Sequence, residues 1–134
     1  MKHKTTLIFD FDGTIANTFD VMIDLFNTIV SKYNIKPITK ELLDTYLELP
    51  LKKRIKAHGV KYRQVPFLVK DALSLHEPFL KQATPFEGIK EILITLSKKY
   101  TLYIASSNKK ELIESFLHTH DIHVIKKVYA KPTL

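Results

Sequence analysis

Residues Thr5 to Asp10 read Thr-Thr-Leu-Ile-Phe-Asp, a short β-prone apolar run that stops abruptly at an acid. A run that is apolar at successive positions suits a strand covered on both faces, and strands of that kind belong to parallel sheets joined by helical crossovers. Asp10-Phe11-Asp12 places two carboxylates around one apolar residue where the strand ends, and Asp12-Gly13-Thr14 follows as a turn. Both acids therefore emerge at the carboxyl end of the sheet, which is where open α/β sheets bind their ligands.

The rest of the chain has the alternation this start requires. From Thr18, the residues Phe19, Met22, Ile23, Phe26, Ile29, Val30 and Tyr33 recur at helical spacing, and Pro37 closes the element. Between Pro37 and Thr84 the pattern stays helical but broken, over Leu42 to Leu47, Leu51 to Ala57 (ended by His58-Gly59) and Phe67 to Leu80. After Pro85, Ile89, Ile92, Leu93 and Leu96 mark a helix running to Lys98-Lys99, and Thr101 to Ala105 reads as a second strand. Ser106-Ser107-Asn108 reads as a polar turn and cap, Leu112 to Leu117 as another helix, and His123 to Ile125 or Val128-Tyr129 as the start of a third strand. The expectation is an α/β fold, a Rossmann-like three-layer core on a parallel sheet of about three strands. A small helical cap is inserted after the first strand, with the core at 1–15 and 85–134 and the cap at 16–84.

Composition narrows the chemistry. With 45% hydrophobic residues over 134 positions the chain is an ordinary globular one with a single principal core. The absence of cysteine excludes disulfide scaffolds, thiolate metal sites and a cysteine nucleophile, and makes a reducing, cytoplasmic setting the default expectation. No apolar run approaches the ~18 residues of a membrane span, and Met1-Lys2-His3-Lys4 leads into nothing like a signal peptide. The net charge of +7 favours anionic partners. Nucleic-acid binding ranks lowest among them, because no aromatic–basic recognition motif accompanies the charge.

Two neighbouring acids repel and resist desolvation unless a cation or a proton offsets them, so the Asp10/Asp12 pair points to a metal, a proton shared with a substrate, or both. Gly13 permits a turn whose free amides suit phosphate oxygens. The plainer alternative is a polar strand-to-turn junction with Asp12 in an Asx-turn. Ser106 ends the second strand as Asp10 ends the first, so its hydroxyl either meets the same ligand or caps the following helix, and the two roles are compatible. In the basic stretch Lys52 to His58, a solvated helix face competes with a sharper role, in which Arg54 reaches a remote anionic group of a substrate. His118, His120 and His123 read as exposed side chains rather than as a metal site.

Asp10-Phe11-Asp12-Gly13-Thr14-Ile15 resembles the first motif of the haloacid dehalogenase superfamily of phosphatases, and Tyr103-Ile104-Ala105-Ser106 resembles its second. The mostly helical interval between them, returning through Pro85-Phe86-Glu87-Gly88, is similar to the subgroup with a helical cap, which includes phosphoglycolate phosphatase-like proteins. The resemblance implies Mg²⁺-dependent hydrolysis of a small phosphorylated metabolite, in which Asp10 attacks phosphorus to give an aspartyl-phosphate and Asp12 serves as acid and then base. It implies Mg²⁺ on Asp10 and Asp12, the latter through its main-chain carbonyl. Phosphoryl oxygens would meet Ser106, Ser107 and the amides of Phe11, Gly13 and Thr14. Asn17 stands where many relatives carry Asp.

The family pattern also calls for a third-motif lysine, for which Lys131 in Lys131-Pro132 competes with Lys126 and Lys127, and for a fourth motif of acids, yet no acid follows Asp121. The expectation is therefore a truncated member with weak or no turnover. Family topology puts the first strand at the centre of the sheet, so here one edge of it is expected to lie open, covered by a second copy or by a partner. The alternative function is a non-catalytic interaction protein that uses this edge or the basic cap.

Overall fold

The computed structural model describes residues 4–131. The chain divides into two compact units, one formed by Met1–Phe19 with Leu80–Leu134 and the other by Asp20–Phe79.

The first unit is built on three parallel strands, β1 (Thr6–Phe9), β2 (Thr101–Lys109) and β3 (Ile125–Lys131), in the order β1-β2-β3. Residues paired across parallel strands share a face. Leu7 pairs with Leu102, and Phe9, Ile104 and Val128 stand in line, so these apolar side chains form one face. The helices α5 (Ile89–Ser97) and α6 (Lys110–Thr119) contact β2, and α6 also contacts β3. Leu93 of α5 and Ile113 of α6 are fully buried, as are Leu102 and Ile104 at the sheet centre. Because the strand order advances in a single direction, right-handed crossovers put both helices on the same face. Ile8, Tyr103 and Lys127 share the opposite face, as do Ala105 and Tyr129. Among the described residues Ile8 and Tyr129 on that face are 67% and 51% exposed. Its aromatic pair, Tyr103 and Tyr129, has ring centroids 5.8 Å apart, and the Lys127 ammonium sits 4.9 Å above the Tyr129 ring.

The second unit is helical throughout. It comprises most of α1 (Thr18–Val30), then α2 (Lys40–Tyr46), α3 (Leu51–Ala57) and α4 (Val65–Leu80), as the sequence periodicity predicts. Val30, Ile35 and Val60 form its core, with Phe26 and Leu68 packed against them. A buried histidine ties its connections together. His58 Nε2 lies 2.7 Å from the Lys36 carbonyl and Nδ1 lies 3.3 Å from the Tyr46 hydroxyl. A carbonyl only accepts, so Nε2 carries the proton and the tyrosine donates to Nδ1. Thr39 caps α2 by accepting from the Leu42 amide at 3.1 Å.

Candidate active site

β1 ends at Phe9, which pairs with Ile104 on β2, so Asp10, one residue further on, and Ser106, two residues further on, lie at the same end of the sheet. Asp10 is exposed there, and the Phe11 amide donates to its Oδ1 at 2.7 Å. This bond fixes the carboxylate against its own backbone. Phe11 then turns inward, buried edge-on against Phe116 of α6 with centroids 5.0 Å apart. Gly13 takes φ +75°, the left-handed conformation in which a side chain is strained.

The turn closes on itself. The Phe11 carbonyl accepts from the amides of Thr14, Ile15 and Ala16 at 3.0–3.2 Å, and the Gly13 amide donates to the Ala16 carbonyl at 2.9 Å. The Gly13 and Thr14 amides expected to meet phosphate oxygens are thus taken up inside the turn. Ile15 and Ala16, both without exposure, anchor it below.

The expected cap after β2 is corrected by the structure. Ser106, Ser107 and Asn108 do not leave the strand, because β2 runs on to Lys109, which pairs with Lys131 of β3. Helix α6 starts directly afterwards, with Lys109 as its N-cap and no side-chain cap bond. A register irregularity between Ala105 and Lys109 falls on these polar residues. Ser106 Oγ accepts from the Asn108 amide at 3.1 Å, while the Asn108 side-chain amide reaches both oxygens of the Asp12 carboxylate at 3.4 and 3.5 Å. Asn108 is the residue that sequence reasoning overlooked in this role. The available signal was its spacing of two from Ser106, which puts both on one side of an extended strand. Ser107 points the other way and is exposed.

Of the three lysines in competition, Lys126 and Lys127 stand at the start of β3 and only Lys131 at its carboxyl end, level with Lys109. Pro132, its partner in the motif, lies outside the described residues. Arg54, in the helical unit, donates from Nε to the Leu49 carbonyl and from Nη2 to the Leu47 carbonyl, both at 2.6 Å, and so holds the α2–α3 connection. His123 Nε2 lies 2.6 Å from Asp121 Oδ1. That hydrogen bond, with the nearby Lys90 ammonium at 3.5 Å, holds the Asp121 carboxyl below its ordinary range. Among the described residues no group of three or more His, Cys, Asp or Glu side chains is arranged to hold a metal ion. Nor is any described helix long and apolar enough to cross a membrane.

A parallel α/β sheet with paired acids where its first strand ends, and with Ser106 and Asn108 late in the next, frames the candidate site. Residues 7–134 match the haloacid dehalogenase-like hydrolases, and the chain belongs to that family. Its fold is similar to that of a haloacid dehalogenase-like hydrolase from Streptococcus pneumoniae, at TM-score 0.73 and 20% identity over 96% of this chain and 61% of that one. It is also similar to a subfamily IA hydrolase of the superfamily from Geobacter sulfurreducens, at TM-score 0.69 and 14% identity over 95% of this chain and 62% of that one. A third similar structure, from Haemophilus somnus, is described as a predicted phosphoglycolate phosphatase, with TM-score 0.65 and 16% identity over 95% of this chain and 62% of that one. The chain therefore spans about three fifths of the length of each. No curated protein matches it.

Proposed function

We propose that this chain carries the nucleophile and the proton-transfer residue of a phosphomonoester hydrolase. The observation that carries the reading is the contact of Asn108 with Asp12 two residues after Asp10, at one end of two adjacent parallel strands. An Asp10 oxygen attacks phosphorus and the bond from phosphorus to the substrate's alcohol oxygen breaks. Asp12, as the acid, gives its proton to that departing oxygen. As the carboxylate, it then takes a proton from the water that attacks the aspartyl-phosphate, releasing inorganic phosphate and restoring Asp10. The Phe11 amide on Asp10 Oδ1 and the Asn108 amide beside Asp12 hold the two carboxylates in orientation, so little reorganisation is left for the reaction step. Ser106, whose Oγ accepts from the Asn108 amide beside Asp12, offers a hydroxyl for a phosphoryl oxygen.

The donor set suits Mg²⁺: the exposed Asp10 carboxylate and the Asp12 main-chain carbonyl are hard oxygens, and this ion uses one or two carboxylates and fills the rest with water and phosphate. When bound, it neutralises the charge that the nucleophile and the phosphate bring together. The substrate class is a small phosphorylated metabolite. Hydrolysis of p-nitrophenyl phosphate with Mg²⁺, compared with Asp10→Asn, tests the assignment. The expected result is a rate that Asp10→Asn abolishes, and an equal rate in the variant refutes it.

A second reading rests on a separate observation, the exposed Ile8 and Tyr129 beside a β1 strand paired on one side only among the described residues. On it the chain associates with a second copy or another protein through that face and edge. Concentration-dependent sedimentation together with slow amide exchange in Thr6–Phe9 supports this reading, whereas a monomer with fast exchange there refutes it.

A further inference from the structure

Beside the acids, and on the side of α6, lies a cavity of about 210 Å³ whose polar rim is Thr18, Lys81, Asn108, Ser115, Thr119 and His120. Its apolar floor is Phe11, Leu112 and Phe116. All of these belong to the sheet unit. Three observations make it more than a gap in packing. First, the side chains of Thr18, Lys81, Ser115 and Thr119 carry no hydrogen bond to any described residue, and His120 touches only the Phe116 ring, at 4.5 Å between centroids. Second, no buried side-chain nitrogen or oxygen among the described residues lacks a partner, so these unpaired groups face open space rather than protein. Third, the rim holds a lysine and a histidine and no carboxylate.

We propose that this cavity binds a small organic anion, a carboxylate or phosphate ester on a compact apolar body. The charged end takes the Lys81 ammonium and the hydroxyls of Ser115 and Thr119, groups that between them supply a point charge and rotatable donors. The apolar body lies on Phe11 and Phe116, whose edge-to-face packing already forms a fixed wall. The volume is below the ~300–1,000 Å³ of pockets for drug-sized ligands, which restricts the occupant to metabolite size. The site is distinct from the phosphoryl-transfer position because Asp10 takes no part in its lining. Two residues are shared: the Phe11 ring lines the cavity while its amide holds Asp10, and the Asn108 side-chain amide reaches from the cavity lining to Asp12. Occupancy of the cavity is therefore felt at the Asp12 carboxylate.

The experiment is an NMR titration of the full chain, without Mg²⁺, with benzoate, with phenyl phosphate and with uncharged benzyl alcohol. The expected result is saturable shifts at His120, Phe116 and Asn108 with both anions and much weaker ones with the alcohol, and the tighter of the two anions identifies the head group. Lys81→Met, at an exposed position, should weaken the anions about tenfold or more while the ligand-free spectrum confirms the fold, and Asp10→Asn should leave binding unchanged. Shifts centred on Asp10, Gly13 and Ser106 with none at His120 and Phe116, equal affinity for Lys81→Met, or no saturation by either anion in the millimolar range each overturn the proposal. Loss of phosphatase activity in Asp10→Asn with anion binding intact separates this site from the catalytic reading.

Discussion

Truncating Ile8 and truncating Ile104 should have very different consequences, although the two residues lie one register step apart on paired strands. Ile104 is fully buried at the sheet centre, so Ile104→Ala removes its transfer free energy and leaves a cavity, at a cost of about 2–5 kcal/mol. Ile8 is 67% exposed, so only about a third of its side chain is out of water. Full burial of an isoleucine is worth roughly 1.5–3 kcal/mol, so Ile8→Ala should cost about 0.5–1 kcal/mol, part of it lost β-propensity. Urea denaturation of the two variants at low protein concentration measures the difference through their midpoints, with unchanged slopes confirming a common two-state transition. A cost for Ile8→Ala equal to that for Ile104→Ala would refute the reasoning, because it would mean that the face away from α5 and α6 is covered in solution. Repeating the measurement at tenfold higher concentration tells whether a second copy is the cover, since association with the native state makes the midpoint concentration-dependent.

Other consequences follow from the hydrogen bonds of the two units. His58→Ala should destabilise the helical unit by about 2–4 kcal/mol in thermal or urea unfolding, since it opens a buried space and strands the Lys36 carbonyl and the Tyr46 hydroxyl. The hydrogen bond from the Tyr33 hydroxyl to Asp71 Oδ2 at 2.8 Å pushes the phenol up from its ordinary value of 10.0. Its stabilisation is present in full below that ordinary value and is lost as pH rises through the raised one. The stability gap between the native chain and Tyr33→Phe should therefore close in the alkaline range, read as melting temperature against pH. Asp121 runs the other way: its lowered pKa stabilises the fold above the ordinary 3.8 and the contribution is lost as pH falls through the depressed value. Asp121→Asn should remove that part of the acid-side slope while keeping the left-handed backbone, φ 56°, that asparagine tolerates.

The acids of the first strand are legible from sequence because one local pattern, an apolar run broken by a carboxylate and a glycine turn, fixes both the strand's end and the side of the sheet on which the site lies. The second strand shows where local reading fails. Ser106, Ser107 and Asn108 are residues that favour caps and turns, but β2 continues through them, across a register irregularity, to Lys109, whose partner Lys131 lies some twenty positions away. The Gly13 turn was readable and its donors were not, because three amides converging on the Phe11 carbonyl are a property of the folded turn. Arg54 shows the same limit. A guanidinium in a basic helix advertises affinity for anions, yet the nearest acceptors are the Leu47 and Leu49 carbonyls freed where α2 ends.

How a strand and its partner keep register across a helical excursion is answered at the excursion's base. Ala16 bridges both Asp12 and Pro85, the Asn17 amide donates to the Thr84 carbonyl at 2.8 Å, and the Phe86 amide donates to the Ile15 carbonyl at 3.1 Å. The outgoing and returning segments are thus tied to each other within a few residues of Asp12. The closure entropy of the long loop rises only logarithmically with its length, so a few such bonds with the burial of Ile15 and Ala16 offset it. Changes within Asp20–Phe79 that respect those ties should leave the Phe9–Ile104 pairing, and with it the approach of Asn108 to Asp12, as they are. The geometry at the sheet's end is therefore set by the strands and the tied linkers rather than by the helical unit.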